Sequence, residues 1–277
     1  MSVEQPDAGG VGVDFVVRPD GTVVGDDGAS GALAAALPYT GRLARRMGEL
    51  VDGGDLRVLE AYGGHRLSVG VTWTPAGEGT YRASLRRLEP RVVPTFMVVG
   101  AVDTPSAVAH CVDRTMSVDG VRWSSVVTAG SRVIAAAGDR CDLHHLAEVG
   151  NRMLAILRSL EDQHATGFMR LHFEQGAVVG ASLGRHALVT YAGVTSDDEL
   201  LAVIDEVRAI LADHDLSAVP TEFDPEAADH DPVDEGVQHG VEEVVEPARH
   251  ASPPLVGARF AGAGQREPRR PRRRFGR

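Results

Sequence analysis

Between residues 104 and 216 the apolar positions change rhythm several times, and each change marks an element. In TPSAVAHCVDRTM, Val108, Cys111, Val112 and Thr115 share one stripe at helical spacing, with Thr104 as N-cap and Pro105 in the first turn. GVRWSSVVTAGSRVIAAAGD reads as two β-branched strands joined by a small-residue turn. Over residues 142 to 161, Leu143, Leu146, Gly150, Met153, Leu154, Leu157 and Leu160 recur at helical intervals, with His144, Glu148, Asn151, Arg152 and Arg158 on other faces. Three strands follow, GFMRLHFE, AVVGASLG and HALVTYAG, separated by Gln175-Gly176 and Gly184-Arg185, spacings short enough for antiparallel hairpins. SDDELLAVIDEVRAILADH closes the series as a helix. Ser196 and Glu199 form its capping box, and Leu200, Leu201, Ile204, Val207 and Leu211 its buried stripe. The order αββαβββα predicts an α+β fold, with antiparallel sheets and helices packed on them.

The first part of the chain repeats the middle of this series. Val23 and Val24 match Val133 and Ile134, Gly28 matches Gly138, and Leu43, Met47 and Leu50 match Met153, Leu157 and Leu160, all 110 positions apart. With a two-residue insertion, Leu59 aligns with Leu171 and Gly64 with Gly176, and residues 80 to 88 supply a last strand. The expected organisation is a flexible N-terminus at 1 to 10, a truncated unit at 11 to 102, a complete unit at 103 to 218 and a disordered tail at 219 to 277. The first unit has no evident opening or closing helix. Its sheet is therefore expected to expose apolar area unless it leans on the second unit or another chain. RVVPTFMVVGAV, residues 91 to 102, reads as a further strand or an apolar linker.

Charge narrows the partners. The formal net charge is −11, and the tail beyond residue 218, with eleven acidic groups and nine arginines, accounts for only −2 of it. The folded part is thus acidic, which argues against nucleic acid as its partner. Every basic residue is arginine. A phosphate-binding loop of the G-x-x-x-x-G-K-[ST] type needs a lysine, so that nucleotide chemistry is excluded. No apolar run spans a membrane and no signal peptide is visible, so a cytoplasmic protein is expected.

Candidate chemistry is sparse. Gly180-Ala181-Ser182-Leu183-Gly184 matches the G-x-S-x-G serine elbow, with His186 nearby. That mechanism needs a strand-to-helix turn, whereas HALVTYAG reads as another strand, and a serine hydrolase at Ser182 ranks as a remote third reading. Cys141, His144 and His145 cluster in CDLHHL, but a zinc site needs further ligands. His230, His239 and His250 stand in an acidic tract. No catalytic residue, metal or cofactor is assigned. The terminal arginines, Arg269, Arg270, Arg272, Arg273 and Arg274, read either as a solubilising tail end or as an electrostatic hook for an acidic membrane, RNA or an acidic protein patch, with protein ahead of nucleic acid because the rest of the surface is acidic.

The hairpin at residues 120 to 139, the helix LHHLAEVGNRMLAILRSL and the closing SLGRHALVTYAGVTSDDELLAVIDEVRAIL together resemble the roadblock (dynein light chain, longin-like) family. The resemblance covers residues 104 to 216, and residues 11 to 88 as a truncated second copy. It implies a non-catalytic regulatory or scaffold protein, because members of that family pair through their central helices and sheet edges, and many bind or regulate small Ras-like GTPases. Here it implies that central helices at 39 to 52 and 142 to 161 pack together, within the chain or between copies. Leu43, Met47, Leu50, Leu146, Met153, Leu157 and Leu160 are the expected pairing residues, and Arg45, Arg46, Arg152 and Arg158 the expected partner-facing ones. The alternative is a tandem scaffold without a GTPase, recruiting through its charged tail.

Overall fold

The computed structural model describes residues 12–25, 30–88, 103–139, 142–161, 167–193 and 197–224. The first half contains β1 (Val13–Val17), β2 (Val23–Val24), α1 (Gly31–Leu50), β3 (Leu56–Tyr62), β4 (His65–Trp73) and β5 (Gly79–Arg87). The second contains α2 (Thr104–Met116), β6 (Val121–Thr128), β7 (Val133–Gly138), α3 (Leu143–Glu161), β8 (Phe168–Phe173), β9 (Ala177–Leu183), β10 (His186–Ala192) and α4 (Asp197–Leu211), then a 3-10 turn at Leu216–Ala218. The expected αββαβββα order is present from α2 to α4, and β1 to β5 with α1 repeat its ββαβββ portion.

All ten strands form one antiparallel sheet in the order β2-β1-β5-β4-β3-β8-β9-β10-β6-β7. Matching β1 to β5 with β6 to β10 makes this order read the same from both ends. The halves meet where β3 pairs with β8, and Leu59 lies opposite Leu171, the residue that repeats it. A twofold relation between antiparallel strands requires such self-pairing. The two units are therefore halves of one sheet within a compact body, not independent domains. The match of Gly64 to Gly176 does not carry through the hairpins, because Val69 and Val178 are the residues that face Leu59 and Leu171.

One face of the sheet carries α1 and α3, and a continuous core joins both halves beneath them, including Phe15, Leu37, Met47, Val69, Met153 and Val189. The approach is close: a Cβ on Gly150 would collide with Val127, and one on Gly180 with Met153. The other face carries α2 and α4 over the second half, where Val108, Cys111, Val126, Ile134, Leu188, Leu200 and Ile204 form a second core. Strands covered on both faces must be apolar on both. All seven residues of β10 are buried accordingly.

The first half meets this requirement on one face only. In β4 and β5, Leu67, Val69, Val71, Tyr81 and Ala83 are buried, while Arg66, Ser68, Gly70, Thr72, Thr80, Arg82, Ser84 and Arg86 alternate with them at half-exposed or exposed positions. Among the described residues no helix covers that second face. The first unit leans on the second, as expected, through the β3–β8 pairing and the shared core, and the apolar exposure expected of its other face is absent among the described residues because that face is polar.

Three boundaries also differ from expectation. Helix α1 starts at Gly31 rather than 39, because GALAAAL has high helix propensity and buries Leu33, Ala34 and Leu37. Pro38, which lacks the N–H due to Ala34, lies inside the helix; the pattern suggests a start after it, but the buried turns before it outweigh that loss. Asp103, not Thr104, caps α2, accepting the Ser106 N–H at 2.9 Å. The tail does not begin at 219. Val219 is buried, Phe223 bridges the outer edge of β7 at Val133 through two backbone bonds of 3.0 and 3.3 Å, and Arg132 pairs with Asp224 at 2.9 Å. The N-terminus at 1 to 10, the segment 91 to 102, Ser196 of the expected capping box, Gly28 of the repeat and the tail from 225 lie outside the described residues.

Candidate functional site

The helices α1 and α3 lie side by side along the sheet, with the fully buried Thr40 hydroxyl 3.1 Å from that of Ser159. Of the expected pairing residues, Met47, Leu146, Met153, Leu157 and Leu160 are buried in the shared core, and Leu43 and Leu50 pack partly buried against it. Met153 lies against Gly180 of β9, so it faces the sheet. The polar Thr40–Ser159 contact between the helices was not among the expected pairing residues.

The four expected partner-facing arginines divide into two kinds. Arg45 stacks over Trp73 at 5.1 Å and pairs with Asp55 at 3.4 Å, and half-buried Arg152 pairs with Glu148 at 3.2 Å; both are engaged within the fold. Arg46 and Arg158 are exposed, Arg46 in a 3.3 Å pair with the exposed Glu49. Beside them on the solvent side of α1 stand Tyr39, 47% exposed, and Arg42. Sequence reasoning missed these two, although Tyr39, Arg42, Arg46 and Glu49 recur at the spacing of a helix face and complement the buried stripe. The result is a two-helix ridge with one large exposed ring, several guanidinium groups and few carboxylates.

On the opposite face a charged cluster locks the junction of the halves. Glu60 of β3, 7% exposed, accepts hydrogen bonds from Arg66 Nη2 at 2.6 Å and the Tyr62 hydroxyl at 3.2 Å, and hydrogen-bonds with His172 Nε2 of β8 at 3.1 Å. The His172 bond and then the Arg66 bond and charge outweigh desolvation and hold the Glu60 carboxyl down at about 2. Buried Arg170 lies opposite Glu60 in the ladder; desolvation pulls its pKa below the ordinary arginine value, against the charge of Glu60. A further ion pair, Arg57 with Glu174, joins β3 to the end of β8. These groups satisfy one another, which is the work of a clamp rather than of a reacting centre.

The remaining chemistry is quickly placed. Ser182 lies within β9, followed by a hairpin and another strand, so the elbow geometry is absent. It pairs with Ala187, which belongs to the core under α1 and α3, whereas His186 pairs with Leu183, which packs toward the other core. Strand alternation thus sends the Ser182 and His186 side chains to opposite faces. His144 and His145 are exposed, His144 against the Phe223 ring at 6.0 Å. Among the described residues no three His, Cys, Asp or Glu side chains are grouped to hold a metal. Cys111 is buried and its thiol is pushed up to about 12 by desolvation, leaving it unreactive. Cys141, His230, His239, His250 and Arg269, Arg270, Arg272, Arg273 and Arg274 fall outside the described residues. No helix among those described is long and apolar enough to cross a membrane.

No family model and no curated protein matches the chain. Solved structures do. Myxococcus xanthus MglB is similar at 16% identity and a TM-score of 0.35, over 41% of this chain and 91% of its own. A roadblock/LC7 domain from Streptomyces avermitilis is similar at 16% identity and a TM-score of 0.31, over 40% of this chain and 99% of its own.

Proposed function

We propose that this chain is a non-catalytic regulatory or scaffold protein whose α1–α3 ridge docks a small Ras-like GTPase. The observation that carries the reading is the pairing of α1 and α3 within one chain over a continuous sheet, which is the arrangement the roadblock resemblance implies. A rigid two-helix surface with a central exposed aromatic and flanking arginines suits a protein partner, since aromatic and arginine side chains dominate binding energy at interfaces. Tyr39 is the expected anchor, with Arg42, Arg46 and Arg158 around it. An arginine acting in trans on a bound nucleotide would have to come from these exposed residues, because Arg45 and Arg152 are half-buried as well as paired, whereas Arg46 pairs only with the exposed Glu49.

The test is capture from native cytosol by the full chain, with a GDP or GTP analogue present, alongside the variant Tyr39→Asp/Arg158→Glu. Retention of a Ras-like GTPase by the parent and its loss from the variant are expected. Retention of none, or equal retention by both, defeats the reading. A chain cut after Asp224 separates ridge from tail: if it captures nothing, binding belongs to the tail. The cut cannot be placed at 219 without stripping the edge of β7.

A further inference from the structure

The turn between β9 and β10 and the end of α4 border an open cavity of about 400 Å³ in the second half. Its wall includes His186 of β10, Arg185 of the turn, Arg208 of α4, and His214, Asp215 and Ser217 from the segment that follows α4. His186 is the informative residue. It is 8% exposed, and its ring makes no hydrogen bond among the described residues. Desolvation holds its pKa below the ordinary histidine value, against a smaller opposing pull from Asp215.

The other groups around it are fixed or open in a consistent way. His214 Nδ1 lies 3.2 Å from the Thr104 hydroxyl, which orients the ring and leaves Nε2 available. Asp215, the one carboxylate of the wall, already accepts the Ser217 backbone N–H at 3.1 Å and the Ser217 hydroxyl. Arg185 and Arg208 are exposed and form no ion pair among the described residues. Donors from three separate elements therefore border one cavity, and its one carboxylate, Asp215, is exposed to solvent and turned to Ser217. A carboxylate has two oxygens to offer such a set, whereas a phosphate has three terminal oxygens and a charge that arginine forks match.

We propose that this cavity binds a phosphate group, with His186 and Arg208 as principal donors and Arg185 and His214 at its rim. The pair of positions is independent of the ridge, so a ligand here can coexist with a docked protein.

The test follows histidine ring resonances in the full-length chain during titration with inorganic phosphate and, separately, phenyl phosphate. Ionic strength is held constant with chloride, and the His186 signals are assigned by their loss in His186→Gln. A saturable shift at His186 is expected, weakened at least about tenfold in Arg208→Gln, as loss of one charge-assisted bond requires. Tighter binding of phenyl phosphate identifies an organic phosphate as the ligand, and tighter binding of inorganic phosphate the free ion; both support the site. No saturable shift, a shift that chloride reproduces, or one that Arg208→Gln leaves unchanged overturns it. Arg208 is exposed, so that variant folds and the outcome stays readable.

Discussion

The two halves of the sheet share a strand order and differ in what covers them. In the second half, α2 and α4 close the face that α3 leaves open, and β9 and β10 are apolar on both sides. In the first half the corresponding face has no helix among the described residues, and β4 and β5 alternate strictly between buried apolar and accessible polar positions. A face without helices among the described residues thus goes with a change of chemistry on that face only. The side toward α1 had to stay apolar, since it completes a core that the other half shares.

Corresponding positions make the contrast measurable. Leu188 pairs with Ala181 in β9 and β10, and Thr80 pairs with Thr72 at the matching place in β4 and β5. Leu188→Ala should lower the unfolding free energy by about 3 kcal/mol, whereas Thr80→Ala should change it by less than about 0.5 kcal/mol. Denaturant midpoints decide this, and equal costs would mean that the first half is covered as tightly as the second.

The next largest effect belongs to the junction. Glu60→Gln should cost about 2 to 3 kcal/mol, because Arg66 and His172 lose their charged acceptor. Glu60 is held down to about 2 in the folded chain against an ordinary value of 4.5. A depressed carboxyl stabilises the fold fully above its unfolded value, so this contribution should fade as pH falls from about 4.5 toward 2. Acid unfolding of the parent should show that step, and the Gln variant should have lost it. If the pH profiles coincide, the clamp contributes nothing.

The outer edges should differ by less. Phe223→Ala should cost about 1 to 2 kcal/mol by uncovering the edge of β7, for a half-buried ring. Strand β2, its counterpart, has no such cover among the described residues, and Val23 and Val24 are exposed there. Exchange of the backbone amides of β7 should accelerate in the variant while that of β1 does not. Asp103→Ala should cost about 1 kcal/mol through loss of the α2 cap and should leave exchange in the first half, which has no such helix among the described residues, unaffected.

What the sequence disclosed follows from how local each signal is. The hairpins, the stripe of α3 and the repeated order were legible because strand alternation and helical spacing survive in short windows. The alternation of HRLSVGVTW and GTYRASLRR also carried the news of an open polar face, but the missing helices drew attention to apolar exposure instead. The start of α1 was hidden by Pro38, whose local cost is outweighed by burial that only the fold provides. Residues 219 to 224 looked like tail because a single bridge at Val133 and one ring contact carry no periodicity. The Glu60 clamp joins residues more than 100 positions apart, and nothing in Glu60, Arg66 or His172 singly announces it.

The Leu59–Leu171 junction lies inside a single polypeptide, and this changes what dilution can do. An assembly of two identical subunits dissociates as it is thinned out and presents every contact surface in duplicate. Here the tether fixes the stoichiometry of the halves at any abundance, and their divergent side chains give the molecule a head and a foot. A partner docking on the ridge, as proposed, would meet Tyr39 at one position only and so have one preferred way to land.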